Sequence, residues 1–268
     1  CEDFGLAREI AARPLVYDEH TLCLAKKHDA EVFVKINTGM NRLGFSTIGE
    51  TVAAVKNLRV IGVFTHLSSA DGDDATDRRI TEAQIKNFME AELVVKNEKD
   101  VPFYAENSAA LIKYGRFFDG ARIGIALYGV NPVPGDKTPL LPVMTFRAAV
   151  IAINTVKKGD FIGYSRGYRA KKDMRVAIIS TGYADGLPRA LSNKGMIFCN
   201  GQFLKIVGKV SMDSVAVDAG DADVKIMDEV VVFGDEITVT DVANRADTLP
   251  YEILTGVSER VKRVYKNP

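Results

Sequence analysis

Residues 31–45 read EVFVKINTGMNRLGF. The apolar run VFV lacks the in–out alternation of a half-solvated strand, which suits a strand covered on both faces. It runs directly into a glycine turn that carries Lys35, Asn37, Thr38 and Arg42. Cations and amides gathered at a strand end are better suited to meeting an anion than to packing. Outward from this stretch the pattern repeats. RVIGVFTHL (59–67), VPFYAENS (101–108) and ARIGIALYG (121–129) read as further β-rich runs, separated by helical segments. In the segment 76–97, Ile85, Phe88, Met89 and Leu93 share one helical face, and the Asp and Thr residues of 71–77 supply N-cap candidates. Strand–helix alternation with apolar strands predicts a parallel sheet. Lys35, His66, Asn107, Ser108 and Arg122 all fall at the C-terminal ends of its strands, the functional side of a barrel mouth or an open-sheet edge.

The texture changes after YGVNPVPGDKTPLLPV (128–143), where Pro132, Pro134, Pro139 and Pro142 mark a linker. Beyond it, β-branched runs such as MRVAIIS and VKIMDEVVVFG are broken by KKGD, NGQ, DAGDAD and FGDE, the signature of hairpins in an antiparallel β domain. The predicted organisation is α/β: a parallel-sheet unit, barrel or open sheet, over 1–130, a linker over 131–143, and a β-rich domain over 144–268.

Bulk properties narrow the function. The 268 residues carry 35 basic and 35 acidic side chains, so no global positive field is available for nucleic acid or an anionic membrane. No apolar run approaches the ~20 residues of a membrane span, and the start does not read as a signal peptide. Cys1, Cys23 and Cys199 are odd in number and lack metal-ligand spacing, as expected of free thiols in a reducing cytoplasm. With only His20, His28 and His66, no histidine-rich metal centre is expected.

Eight short motifs then stand out in order: KINTGMNRLGF, THLSSAD, NSAA, ARIGIALYG, GYSRGY, GYADGLPR, VSMD and LPYEILT. Each alone has an ordinary explanation. The first is a surface loop, NSAA an N-cap, and the tyrosines in glycine-flanked turns could be hairpin packing. Together, and across essentially the whole chain, they resemble the bacterial alanine racemases, enzymes that use pyridoxal phosphate. The resemblance implies an N-terminal (β/α)8 barrel, a β-rich second domain, and a head-to-tail homodimer whose sites are shared between subunits. It also implies a cytoplasmic enzyme that supplies D-alanine for peptidoglycan.

Carried over residue by residue, the resemblance makes Tyr164, reaching in from the partner, one of two catalytic bases, linked through His66 to Arg122. Arg122 would face the pyridine nitrogen of the cofactor. A permanent guanidinium charge there keeps that nitrogen unprotonated and discourages side reactions such as transamination. Cofactor contacts are expected from Arg42, Asn107, Ser108, Gly124, Ile125 and Tyr251, and substrate contacts from Arg42, Met212 and Tyr183. Lys35 matches a family lysine often carbamylated, and Asp213 and Arg189 are expected supports.

Three departures stand out. Tyr104 occupies a position where many members have His, and Ser211 one where Cys is frequent. The family's cofactor-carrying lysine lies in a segment similar to KANAYGHG, which is not in this sequence, so the chain is expected to lack the first part of a family member and to be catalytically incomplete alone. Two rivals remain at this level: a racemase for serine, basic or many amino acids, and a non-catalytic fragment.

Overall fold

The computed structural model describes residues 3–266. Its chain divides into two compact units, one up to Leu127 together with Asn131–Leu140, the other Tyr128–Val130 with Leu141 onward.

In the first unit, strands β1 (Leu15–Val16), β2 (Glu31–Lys35), β3 (Arg59–Phe64) and β4 (Phe103–Tyr104) form a parallel sheet in sequential order. Helices α1 (Phe4–Glu9), α2 (Glu19–His28), α3 (Ile48–Asn57), α4 (Ala75–Lys96) and α5 (Ser108–Tyr114) complete the unit, with α2, α3 and α4 making the connections between successive strands. Each helix start is written locally. Asp18 and Thr47 close capping boxes, and Asp74 accepts the amides of Thr76 and Asp77, contacts worth about 1 kcal/mol each. The core gathers Val32, Val34, Val63, Phe88 and Phe103, with Phe88 against Phe103 and Phe118 at ring separations of 5.0 and 4.8 Å.

Two expectations fail here. Met89 and Leu93 are 39% and 70% exposed, and the buried stripe of α4 is instead Thr81, Gln84, Ile85, Phe88, Ala91 and Val95. The helix is turned because its core side is partly polar: Gln84 is held inside by hydrogen bonds. Residues 121–129 form no strand; a 3-10 turn spans Ile125–Tyr128, and the amides of Gly124 and Ala126 turn toward Ser108 instead of a ladder. Strand β4 stops at Tyr104 because Asn107 is already the N-cap of α5.

The second unit contains β5 (Phe146–Val156), β6 (Phe161–Ile162), β7 (Tyr168–Arg169), β8 (Met174–Ile179), β9 (Met196–Cys199), β10 (Gln202–Ile206), β11 (Val215–Asp218) and β12 (Glu229–Phe233), followed by α6 (Val239–Ala246) and α7 (Pro250–Gly256). Among the described residues, six of these strands close into an antiparallel barrel in the order β10–β11–β8–β5–β12–β9. Asn200 and Gly201, both with positive φ, make the two-residue hairpin between β9 and β10 that the NGQ stretch predicts. Cys23 and Cys199 are free thiols, and Cys1 lies outside the described residues. No described helix is long and apolar enough to cross a membrane.

Candidate active site

The ends of β2 and β3 and the loop after α5 bring three cations together. Lys35 is 4% exposed at the end of β2. The loop that follows curls back so that Phe45 donates to the Lys35 carbonyl and accepts from the Asn37 amide, both at 2.9 Å. This return requires Gly44: at φ +128°, a Cβ would lie 2.6 Å from the Asn37 nitrogen. The loop carries Arg42, exposed, close enough to act electrostatically on Lys35, His66 and Arg122.

Arg122 is the best-held member. Its Nη2 donates to the Thr65 carbonyl at 2.7 Å and lies 2.8 Å from His66 Nδ1, while its guanidinium stacks 4.2 Å above the Phe64 ring. Its own amide donates to the Glu106 carbonyl at 2.7 Å. Its Nε is buried with no hydrogen-bond partner. A buried donor left unpaired costs about 1–3 kcal/mol, so it marks a place for an acceptor. His66 is pushed down to about 4, first by burial and then by the charges of Arg122, Arg42 and Lys35. It is therefore neutral near pH 7, a hydrogen-bonding link and not another cation. Burial also lowers Lys35, helped by Arg42 and Arg122, so its ammonium is poorly favoured without an anion beside it.

Beside this cluster lies a cradle for a dianion. Asn107 caps α5 through its Oδ1 on the Ala110 amide and donates from Nδ2 to the Leu67 carbonyl. Ser108 Oγ accepts the amides of Gly124 (3.1 Å) and Ala126 (3.3 Å). Ala126, which sequence reasoning missed, makes the second of these bonds, and Ile125 between them is 3% exposed. A Cβ at Gly124 would meet nothing within 4 Å, so the backbone there faces open space. These residues fit pyridoxal phosphate: hydroxyl and amides for a phosphate, cations for its other anionic oxygens, and an orphaned guanidinium donor for a ring nitrogen.

Tyr104 makes no part of this set. It packs edge-on to Phe33 with ring centroids 6.1 Å apart, over Gly62 and Gly120, where added Cβ atoms would lie 2.6 and 2.9 Å from its ring. The side chain of Arg122 is held instead by Phe64, Thr65 and His66.

The second unit presents the other residues. Tyr164, 70% exposed, opens the 3-10 turn Tyr164–Arg166, preceded by Gly163 at φ +75° and followed by Ser165 and Arg166 at positive φ. Tyr183 and Met212 are joined by backbone: the amides of Tyr183 and Ala184 donate to the carbonyls of Ser211 and Met212, both at 3.0 Å. Gly182 permits that approach, since a Cβ there would lie 2.2 Å from the Met212 oxygen. Asp213 pairs with Arg260, which also donates to Asp185 at 2.7 Å. Arg260, missed in the sequence, thus braces the Tyr183 and Met212 loops. Arg189 is exposed, and its carbonyl accepts from Ser192. Tyr251 sits in the first turn of α7, which Pro250 begins.

Comparison with known proteins agrees over both units. Residues 1–132 match the alanine racemase N-terminal domain and 143–265 the alanine racemase C-terminal domain. The chain is 34% identical to the alanine racemase of Aquifex aeolicus over 263 residues, covering 98% of this chain and 74% of that protein. It is 36% identical to that of Halothermothrix orenii over 261 residues, covering 91% and 68%. Among solved structures, alanine racemase from Streptomyces coelicolor superimposes with a TM-score of 0.92 at 29% identity, covering 99% of this chain and 76% of that one. The Bartonella henselae enzyme, with covalently bound pyridoxal phosphate, gives 0.86 at 29%, covering 98% and 75%.

Proposed function

The chain belongs to the alanine racemase family, pyridoxal-phosphate enzymes with a barrel and a β domain, and from that premise we propose that its site interconverts L- and D-alanine by proton transfer on two opposite faces of the substrate. One face is served by Tyr164 of a partner subunit, in a head-to-tail homodimer. The observation that carries the reading is Arg122, fixed by Thr65 and His66 with a buried Nε still to be satisfied.

When bound, pyridoxal phosphate supplies the electron sink without which an amino acid's α-proton is too weakly acidic to remove. The protein's own groups do the rest. Ser108, the backbone amides of Gly124 and Ile125, and the Tyr251 hydroxyl would hold the phosphate through charge-assisted hydrogen bonds. Arg122, through its unpartnered Nε, would donate to the ring nitrogen, and its permanent charge would disfavour a proton there. Arg42 and the Met212 N–H of the partner hold the substrate carboxylate, and Tyr183 narrows the entrance to admit a methyl side chain. Neutral His66, held by Arg122, would orient the Tyr164 hydroxyl, whose oxygen takes up and returns the proton on its face. Lys35, buried among cations, favours an anion beside it that would also steady Arg42; a carbamate on its own nitrogen would serve. In this reading the enzyme is cytoplasmic, and its D-alanine goes to peptidoglycan.

The holoenzyme given L-alanine is expected to bring the optical rotation to zero, with D-alanine accumulating to parity. Racemisation of serine or lysine with alanine left untouched would overturn the substrate assignment.

A further inference from the structure

The buried side of α4 carries one amide that grips both loops of the cation cluster. Gln84 is 2% exposed. Its Nε2 donates to the His66 carbonyl at 3.1 Å and to Thr38 Oγ1 at 3.3 Å, and its Oε1 accepts from the Ser68 amide and the Ser68 hydroxyl, both at 2.9 Å. The Ser68 N–H can only donate and the His66 carbonyl can only accept, so the amide has one possible orientation. The bonds then run in one direction. Gln84 donates to Thr38, Thr38 to Thr65 Oγ1 at 2.7 Å, and Thr65 to the Ile36 carbonyl at 3.0 Å. Thr65 and His66 make the hydrogen bonds to the Arg122 guanidinium. A side chain outside the site thus ties the loop after β2 to the segment after β3.

We propose that Gln84 is a positioning residue for the racemase reaction, setting through Thr38 and the His66 carbonyl where Arg122 and His66 stand relative to each other. Of the common side chains of this length, only a carboxamide does this: Glu lacks the two donors, and Met lacks all four bonds. The proposal rests on the reading of Arg122 and His66 as site residues, but its geometry does not depend on which amino acid is the substrate.

The test is the titration of His66, followed by NMR in the full-length protein and assigned by loss of its signal in His66→Gln. In the wild type, His66 is expected to stay neutral across pH 5.5–7, in keeping with its depressed value of about 4. In Gln84→Met the loosened imidazole should move toward solvent and away from Arg122, so its midpoint rises by more than ~1 unit toward the ordinary value near 6.5. Thr38→Val, which keeps the shape and removes the link to Thr65, should move it in the same direction by less. Thr81→Val is the control: its hydroxyl lies on the same buried face without a partner, so the His66 midpoint should not change. A His66 midpoint in Gln84→Met equal to the wild type overturns the proposal. Should that variant fail to fold, an unmoved midpoint in Thr38→Val does so instead. A shift in a protein that does not racemise alanine would leave the positioning role standing and reject the function.

Discussion

Replacing Tyr164 by Phe is expected to lower kcat/KM for alanine by about 10³-fold, within the range lost when a positioned acid–base group is removed. The ring and its packing are retained, so the loss is that of one hydroxyl. Tyr164 lies in a turn whose backbone is constrained on both sides, between Gly163 at φ +75° and two positive-φ residues, and its ring is 70% exposed on its own chain. Such a conformation is costly for Ser165 and Arg166, and it serves to present a phenol outward. Enantiomers have equal free energy, so kcat/KM must fall by the same factor from L- and from D-alanine. The face Tyr164 serves is revealed by isotope effects: α-deuteration should slow one enantiomer more than in the wild type and not the other. Wild-type rates in both directions would remove Tyr164 from the mechanism.

The second large effect is expected at Arg122. Arg122→Lys keeps the charge yet should cost about 10²–10³-fold in kcat, the scale of losing one preorganised donor in a water-poor site. The ammonium cannot span the Thr65 carbonyl and His66 Nδ1, stack on Phe64, and still offer a further donor, as the guanidinium does. A readout besides rate is available. If Arg122 is what disfavours a proton on the ring nitrogen, some alanine should leave the variant as pyruvate, its amino group passing to the cofactor, and much less should leave the wild type this way. Unchanged racemisation without pyruvate would show that Arg122 is only a structural cation.

Much of this was legible in the sequence, for physical reasons. Parallel strands with helical crossovers write themselves as apolar runs alternating with capped helices, and Asn107 and Thr47 announce their helices by local chemistry alone. Arg122 beside His66 was expected from the resemblance, and the structure brings them to 2.8 Å. The failures share a cause. Residues 121–129 look like a strand because apolar and β-branched residues suit both a strand and a buried turn, and only the distant Ser108 hydroxyl decides between them. Arg260 reads as one basic residue among several near the C-terminal end; its role depends on Asp185 and Asp213, which lie 75 and 47 positions away. Gln84 had a signal that went unused: it is four residues before Phe88, on the face that the apolar residues define. A polar side chain placed there must either be satisfied or cost stability.

The claim on which the rest depends is that each site draws its phenol from one subunit and its guanidinium from the other. Tyr164→Phe and Arg122→Lys, each nearly inactive alone, are to be co-expressed with different tags and the hybrid dimer isolated. Such a hybrid contains one doubly altered site and one carrying both native residues, so it should show about half the wild-type activity. A hybrid no more active than its parents would place Tyr164 and Arg122 on the same chain's site, or on none, and contradict the account.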